Sequence, residues 1–348
     1  MTAISPTSRR RIPSVLATLL TLAGCAGQAA EAPPTVLVIH GGAGTITRAE
    51  MSPDREAAYR AALTRALESG HRILAAGGGG LDAVEATIRV MEDSPLFNAG
   101  RGAVFTAAGR NELDASIMDG ASGMAGAVAG VTVVKNPISA ARAVMEETRH
   151  VLLVAGGADA FAAEAGLETV EPGYFFTQRR WDALQRRRLD EGLEALPAPA
   201  AADPPLVGPP YGTVGALALD SDGRLAAGTS TGGMTFKRFG RVGDSPIIGA
   251  GTWADERCAV SGTGQGEYFI RLNTARDVCT RLGYLELSLA EAAEQAIHGA
   301  LSDAGGSGGV IALDVDGNVA MPFNTEGMYR GWIGADGVAH VSIYDDEE

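Results

Sequence analysis

A threonine hydroxyl is a weak nucleophile unless a base lies beside it, and the tetrapeptide Gly212-Thr213-Val214-Gly215 offers a way to supply one. If the peptide bond before Thr213 is cut, the freed α-amine, with a pKa of about 7.7–8.0, becomes that base and no histidine is needed. Gly212 suits such a cut because glycine adopts strained dihedrals and puts no side chain in the path of the attacking hydroxyl. Alone the tetrapeptide says little, since a threonine opening a strand is usually there for its β-propensity. Its surroundings say more. Thr229-Ser230-Thr231-Gly232-Gly233 gathers hydroxyls at the end of the strand that follows. Arg241 and Asp244 place a cation and an anion three residues apart in a glycine-containing loop. A free amino acid carries a carboxylate and an ammonium on one carbon, so a fixed arginine can fork onto the first while an aspartate accepts from the second. The plain alternative is a surface ion pair. Ser261-Gly262-Thr263-Gly264-Gln265-Gly266-Glu267 offers a hydroxyl and backbone N–H groups of the kind an oxyanion hole requires, or merely a tight turn.

A competing nucleophile is Ser230, because Gly228-Thr229-Ser230-Thr231-Gly232 fits G-x-S-x-G with His298 and His340 downstream. A nucleophile elbow turns from strand directly into helix. Residues 234–243 have glycines and basic side chains but no apolar helical period, so the match is read as accidental. A reading from another class is an amino-acid-binding lipoprotein that captures its ligand through Arg241 and Asp244 without turnover. It leaves the glycine-flanked threonine unexplained.

The elements that must position these groups can be outlined from apolar spacing. Residues 35–39 form a β-branched run typical of a buried strand, ending in His40-Gly41-Gly42-Ala43-Gly44. Helical periodicity covers about 53–76, 81–92, 137–148 and 158–165. A charged helix is expected over 178–196, with Arg186, Arg187 and Arg188 on a solvated face. Residues 97–103 make a glycine-interrupted loop, and 113–118 and 125–134 read as strands. Six prolines between 197 and 210 exclude a helix or central strand and mark a mobile linker, which stops at Gly212 where an apolar strand, 214–219, begins. Further on, Ala218-Leu219-Asp220-Ser221-Asp222-Gly223 recurs as Ala312-Leu313-Asp314-Val315-Asp316-Gly317. Each Asp-Gly between apolar runs signals a hairpin, favoured over a calcium loop at Asp314 and Asp316 because the ligand spacing is incomplete. Helices over about 269–282 (or from 273) and 289–301 lie between the hairpins. Two hairpin-rich halves with helices predict sheets packed together with helices outside, an α+β fold.

Composition narrows the partners. The formal charge is −14, and no basic stripe with interleaved aromatics is present, which argues against nucleic acid. Arg9, Arg10 and Arg11 precede a short apolar run and then Leu22-Ala23-Gly24-Cys25, the order of a secretory signal ending in a bacterial lipobox. Residues 1–24 are therefore expected to be a lipoprotein signal peptide and 25–34 a tether. Cys25 would be acylated, anchoring the protein on the periplasmic side of a membrane, the outer one by the absence of an acidic retention cue at Ala26. An ordinary signal peptide with an incidental cysteine is the alternative. Cys258 and Cys279 either pair or remain two buried free thiols; spacing leaves both open.

Taken together, the motifs resemble the plant-type L-asparaginase / isoaspartyl peptidase family of N-terminal-nucleophile (Ntn) hydrolases. The resemblance runs over nearly all of 35–330 and rests on His40-Gly41-Gly42-Ala43-Gly44, Ser94-Pro95-Leu96-Phe97-Asn98-Ala99-Gly100, Glu112-Leu113-Asp114-Ala115, Gly126-Ala127-Val128-Ala129-Gly130, Gly212-Thr213-Val214-Gly215, Thr229 to Met234 and Arg241 to Pro246. It implies a four-layer αββα sandwich made of a single domain, 35–348, cut into an α subunit (35–212, ending in the mobile linker) and a β subunit (213–348), with two such pairs forming a dimer. It implies Thr213 as nucleophile and Thr231 as its hydrogen-bonding companion. Arg241 and Asp244 would grip the substrate's α-carboxylate and α-ammonium, Thr263 and Gly264 would form the oxyanion hole, and the Gly266 carbonyl and Asn98 would lie at the substrate. A structural sodium would be held by backbone carbonyls of the loop running from Ser94 to Val104; no organic cofactor is implied. The expected substrates are L-asparagine and β-aspartyl dipeptides. Glycosylasparaginase is the nearest competitor, but its nucleophile usually has Asp before and Ile after, where this chain has Gly212 and Val214.

Overall fold

The computed structural model describes residues 1–3, 34–197 and 212–347. Cys25 and the linker prolines from 199 onward lie outside them.

The chain up to the linker forms β1 (Val36–Gly44), α1 (Pro53–Ala75), α2 (Gly80–Glu92), β2 (Leu113–Asp119), β3 (Ala125–Val131), α3 (Pro137–Glu147), β4 (Leu152–Val154), α4 (Ala155–Glu164) and α5 (Gln178–Asp190). Beyond the linker come β5 (Val214–Leu219), β6 (Leu225–Thr231), β7 (Thr252–Ala254), β8 (Cys258–Gly264), α6 (Gly266–Leu272), α7 (Thr274–Tyr284), α8 (Leu289–Glu294), β9 (Gly308–Asp314), β10 (Val319–Ala320), β11 (Gly327–Ile333) and β12 (Ala339–Tyr344). An eight-stranded sheet has the order β12-β11-β1-β5-β6-β2-β3-β4, and a four-stranded sheet the order β10-β9-β8-β7. All pairings are antiparallel except β3 with β4.

Three apolar layers show how the sheets stack. Leu37 and Ile39 of β1, with Val214, Ala216 and Ala218 of β5, face α1, α2 and α3. The alternate residues Val36, Val38, Leu217 and Leu219 face Ala259, Ile311 and Leu313 of the smaller sheet. On that sheet's far side Val260, Val310 and Ala312 pack on Val278, Leu289 and Ile297. The period of two puts apolar residues on both faces of the central strands, so both sheets are buried between helices. The result is the αββα sandwich that the motifs imply.

Several local expectations need correction. The His40–Gly44 stretch continues β1 as strand, with a bulge between His40 and Gly42 in its pairing to β11. The predicted helix over 269–282 is two helices broken at Asn273, which takes a left-handed φ of 54°. The charged helix stops at Asp190, six residues earlier than its composition suggests, where Gly192 turns with φ 71°. Of its arginines, Arg186 and Arg187 are exposed, but Arg188 bonds the carbonyls of Glu194 and Ala107. The repeated Asp-Gly segments do form hairpins, one in each sheet. In both, the aspartate folds back on its own turn: Asp220 accepts from the amides of Asp222 and Arg224, and Asp314 from those of Asp316 and Asn318. A carboxylate so occupied supports a turn, not a calcium loop. Cys258 and Cys279 are disulfide-bonded, Cα to Cα 5.7 Å, tying β8 to α7 in the outer apolar layer.

Candidate active site

Thr213 stands at the head of β5, the central strand held between β1 and β6. The turn at 220–223 sets the β5–β6 register, pairing Val214 with Ser230 and bringing Thr231 beside Thr213. Their hydroxyls lie 3.1 Å apart. The Gly212 carbonyl oxygen collects three donors: the Thr213 hydroxyl at 2.9 Å, Asn98 Nδ2 at 2.8 Å and, more distantly, the Thr231 hydroxyl at 3.4 Å. Asn98 is itself fixed, because Nδ2 also donates to the Gly233 carbonyl and Oδ1 accepts from the Val104 amide. The glycine motif in β1 serves this packing. A Cβ on Gly42 (φ +112°) would stand 2.7 Å from the Gly212 Cα and 3.1 Å from the Thr213 nitrogen, so only glycine lets the strand approach the Gly212-Thr213 bond.

The expected oxyanion segment is not a turn. Ser261, Gly262 and Thr263 are paired residues of β8, and the strand ends at Gly264 (φ +155°). Thr263 Oγ1 accepts from the Ala43 amide at 3.2 Å, which leaves its own O–H able to donate. One strand segment, 42–43, therefore touches both the Gly212-Thr213 bond and Thr263.

Arg241 and Asp244 are not a surface pair. Asp244 is 5% exposed, its Oδ2 has no hydrogen-bond partner, and burial pushes its pKa up to about 7 against the opposing pull of Arg241. An orphaned buried carboxylate oxygen suits an incoming cation. Arg241 instead forks onto Glu267, Nε to Oε1 and Nη2 to Oε2, both at 2.9 Å. A Cβ on Gly266 would lie 2.8 Å from both Arg241 Nη2 and Asp244 Oδ1, so Gly266 is where the two charged groups converge. A cavity of about 620 Å³ opens beside Arg241 and Glu267, lined also by Arg186, Arg187 and Lys237.

A buried polar chain with no motif of its own in the sequence runs beneath Thr213. His40 Nδ1 contacts the Thr213 carbonyl at 3.1 Å and Nε2 the Ser261 hydroxyl at 3.0 Å. The chain continues through Thr229 (2.7 Å), Thr252 (2.6 Å) and Ser116 (2.7 Å) to the carbonyl of Ser245, next to Asp244. Since a carbonyl only accepts, His40 must carry its proton on Nδ1; Ser261 then donates to Nε2, Thr229 to Ser261 and Thr252 to Thr229, while the single Ser116 proton goes either to Thr252 or to the Ser245 carbonyl. Burial lowers the His40 pKa to about 3, so the ring stays neutral. The signal was in the alternation: His40, Ser116, Thr229 and Ser261 share the parity of Val38, Met118, Ala227 and Ala259, which line the layer between the two sheets. Hydroxyls at core-facing positions must find partners, and here they find one another.

The rival nucleophile is excluded. Ser230 is fully buried and donates to Glu92 Oε1 at 2.6 Å. Glu92 is buried, its pKa raised to about 8 by desolvation, and it lies toward the helices. His298 is exposed beside Glu294 in the π-helical turn Gln295–Leu301 after α8, and His340 of β12 stacks on Trp332 of β11.

Two face-to-face sheets between helical layers, with a threonine heading a central strand, are the architecture of the Ntn hydrolases. The chain belongs to the asparaginase family, whose model matches residues 33–343. It is similar to an isoaspartyl peptidase of Escherichia coli, 50% identical over 90% of this chain and 97% of the relative. It is also similar to a plant-type L-asparaginase of Pyrococcus furiosus, 43% identical over 84% of this chain and 94% of the relative. An isoaspartyl peptidase/L-asparaginase of Mus musculus is 40% identical over 84% and 86%.

Proposed function

We propose that this chain cuts itself between Gly212 and Thr213 and then hydrolyses L-asparagine and β-aspartyl dipeptides through Thr213, releasing L-aspartate. The carrying observation is the Gly212 carbonyl, with the Thr213 hydroxyl 2.9 Å away and Asn98 and Thr231 donating to the same oxygen. The Thr213 oxygen attacks the Gly212 carbonyl carbon, and the negative charge that develops on its oxygen is met by donors already aimed at it. As the C–N bond breaks, the Gly212 acyl group passes to the Thr213 oxygen and the hydroxyl proton ends on the departing Thr213 nitrogen; water then cleaves the ester, giving an α subunit of 35–212 and a β subunit of 213–348. The freed α-amine then takes the hydroxyl proton as Thr213 attacks the substrate's side-chain amide. The amine leaves with a proton, and water releases aspartate from the ester. Arg241 holds the substrate carboxylate, Asp244 its ammonium, with the Gly266 carbonyl beside it, and Thr263 and Gly264 face the oxyanion. Asn98→Ala removes one donor and should slow self-cleavage by roughly 10²–10³-fold, read as the decay of the full-length band after synthesis. Cleavage at the wild-type rate would remove Asn98 from the mechanism.

Asp244 gives the site a pH signature. Its pKa of about 7 lies above the ordinary 3.8, so the native chain holds this proton across the interval where the unfolded chain has lost it. The stabilising contribution is complete below pH 3.8 and disappears as pH rises through about 7. An ammonium ligand needs the charged form. L-Aspartate binding followed by calorimetry should therefore weaken about tenfold per unit as pH falls below about 7. Binding flat from pH 5 to 8 would place the ammonium elsewhere.

Sodium is the proposed occupant of the loop from Ser94 to Val104, through backbone carbonyls. Many of those carbonyls already have donors: Arg179 takes those of Pro95 and Leu96, Arg180 that of Gly102, and Asn111 those of Ala103 and Val104. The two guanidinium groups weigh against a further cation, so exchange into tetramethylammonium buffer is the deciding test: a lowered melting temperature supports sodium and an unchanged one removes it. The proposed assembly is a dimer of cleaved pairs, which sedimentation of the cleaved protein would reveal as twice the single-pair mass. For Cys25 the proposal is acylation and an anchor on the periplasmic face of the outer membrane. No helix among the described residues is long and apolar enough to cross a membrane. Acyl chains add about 0.8 kcal/mol per buried CH₂, so several chains anchor stably. Cys25→Ser should move active enzyme from the membrane fraction to the soluble one or leave it on an unprocessed signal; a wild-type protein lacking lipid mass would refute the anchor.

A further inference from the structure

We propose that Glu267 is a positioning residue for substrate recognition: it holds one edge of the Arg241 guanidinium so that the other edge stays presented to the substrate's α-carboxylate. The inference rests on the reading of Arg241 as the carboxylate-binding group.

A guanidinium has two edges that can each accept a carboxylate, the Nε/Nη2 side and the Nη1/Nη2 end. Glu267 occupies the first. The second is left free by Glu267 and has glycines around it. A Cβ on Gly243 would stand 2.8 Å from Nη1 and 3.2 Å from Cζ, over the guanidinium face, and one on Gly266 would stand 2.8 Å from Nη2 and from Asp244 Oδ1. Side chains at either glycine would crowd the guanidinium. The other oxygen of the Asp244 carboxylate, Oδ2, is buried without a hydrogen-bond partner. Gly266 thus sits between the end of an arginine and a buried carboxylate.

The pair is poorly explained as a stability device. The Glu267 side chain is 54% exposed, and ion pairs at such sites contribute little to folding. Arginine has many rotamers, however, and fixing the guanidinium before substrate arrives removes that entropy from the binding step. Burial of the Arg241 side chain at 18% exposure and the fork from Glu267 together do this. Two carboxylates on one guanidinium repel each other. The adjoining cavity carries cations, Arg186, Arg187 and Lys237, together with the carboxylate of Asp190; Arg187 pairs with Glu191 and Lys237 lies near Glu112 and Asp114. Glu267 touches no reacting atom in this scheme; it acts through Arg241.

The test is steady-state kinetics of cleaved wild type, Glu267→Ala, Glu267→Gln, Arg241→Ala and the double variant Arg241→Ala/Glu267→Ala, with L-asparagine as substrate. Self-cleavage, which uses no substrate carboxylate, reports that each variant folds. Glu267→Ala should raise KM about tenfold or more with kcat within about twofold, the pattern of lost binding common to ground and transition states. Glu267→Gln keeps one acceptor and should fall between. The double variant should be no worse than Arg241→Ala, because a residue acting only through Arg241 has nothing left to position. An unchanged KM in Glu267→Ala overturns the proposal. So does a lowered KM, which would make Glu267 a competitor for the substrate's place. If Arg241→Ala itself leaves KM unchanged, the assignment of Arg241 fails, separately from Glu267.

Discussion

Thr213→Ala is expected to stay a single chain and to hydrolyse neither L-asparagine nor β-aspartyl dipeptides. One substitution removes two functions, because the hydroxyl that would attack the Gly212 carbonyl is the hydroxyl that would attack substrate. The loss of turnover should be on the order of 10⁴–10⁶-fold, the scale seen when a covalent nucleophile is deleted. The fold should survive: among the described residues the Thr213 hydroxyl bonds Thr231 and the Gly212 carbonyl, and Val214 onward is anchored in the sheet. Intact mass separates the outcomes. Wild type should give two pieces with Thr213 at the N-terminus of the smaller, and the variant one. A wild-type chain that stays whole and turns over at full rate would end the mechanism, since an amide nitrogen cannot serve as the base. Thr213→Ser should still cleave, as it keeps the hydroxyl, though the missing methyl loosens its rotamer.

Arg241→Ala should raise KM for both substrates while leaving self-cleavage intact. Removing a bidentate charge-assisted contact in a desolvated site costs roughly 2–5 kcal/mol, or roughly 30- to 5,000-fold. The remaining anchor is then Asp244 alone, whose charge the Arg241 cation helps to sustain. With that cation gone, the aspartate pKa should rise further and ammonium recognition should weaken at neutral pH. Lysine at 241 should rescue poorly, because a point charge cannot serve Glu267 and a substrate carboxylate on two fixed edges. Kinetics matching wild type would reduce Arg241 and Glu267 to a solvated ion pair.

Much of this was legible in the residues themselves. Helix starts near 53, 80, 137 and 178 and the strands at 113 and 214 follow from apolar period and punctuation, which are local properties of the chain. The hairpins at Asp220 and Asp314 follow from turn chemistry. Thr213 could be singled out because a nucleophile with its own latent base needs only a glycine before it and a strand after it. What misled was irregularity whose cause is distant. The glycines of 41–44 carry no strand propensity, yet they lie in a strand because β11 pairs with them and the Gly212-Thr213 segment presses on Gly42. Ser261 to Thr263 are compatible with a tight turn, yet β9 holds them in register.

The sequence by itself determined which groups exist and which segments carry them: a threonine heading a strand, an arginine and aspartate in one loop, hydroxyls at core-facing positions. Only the tertiary structure decided which of them meet. Thr213 and Asn98, 115 positions apart by number, share the Gly212 carbonyl because the 94–104 loop folds over the end of the central sheet. Arg241 turned out to answer to Glu267 and not to Asp244. The cysteines bond because β8 and α7 bring their Cα atoms to 5.7 Å. Local preference acts over a few residues, whereas such contacts are set by sheet register and layer packing, which are satisfied only when the whole sandwich closes.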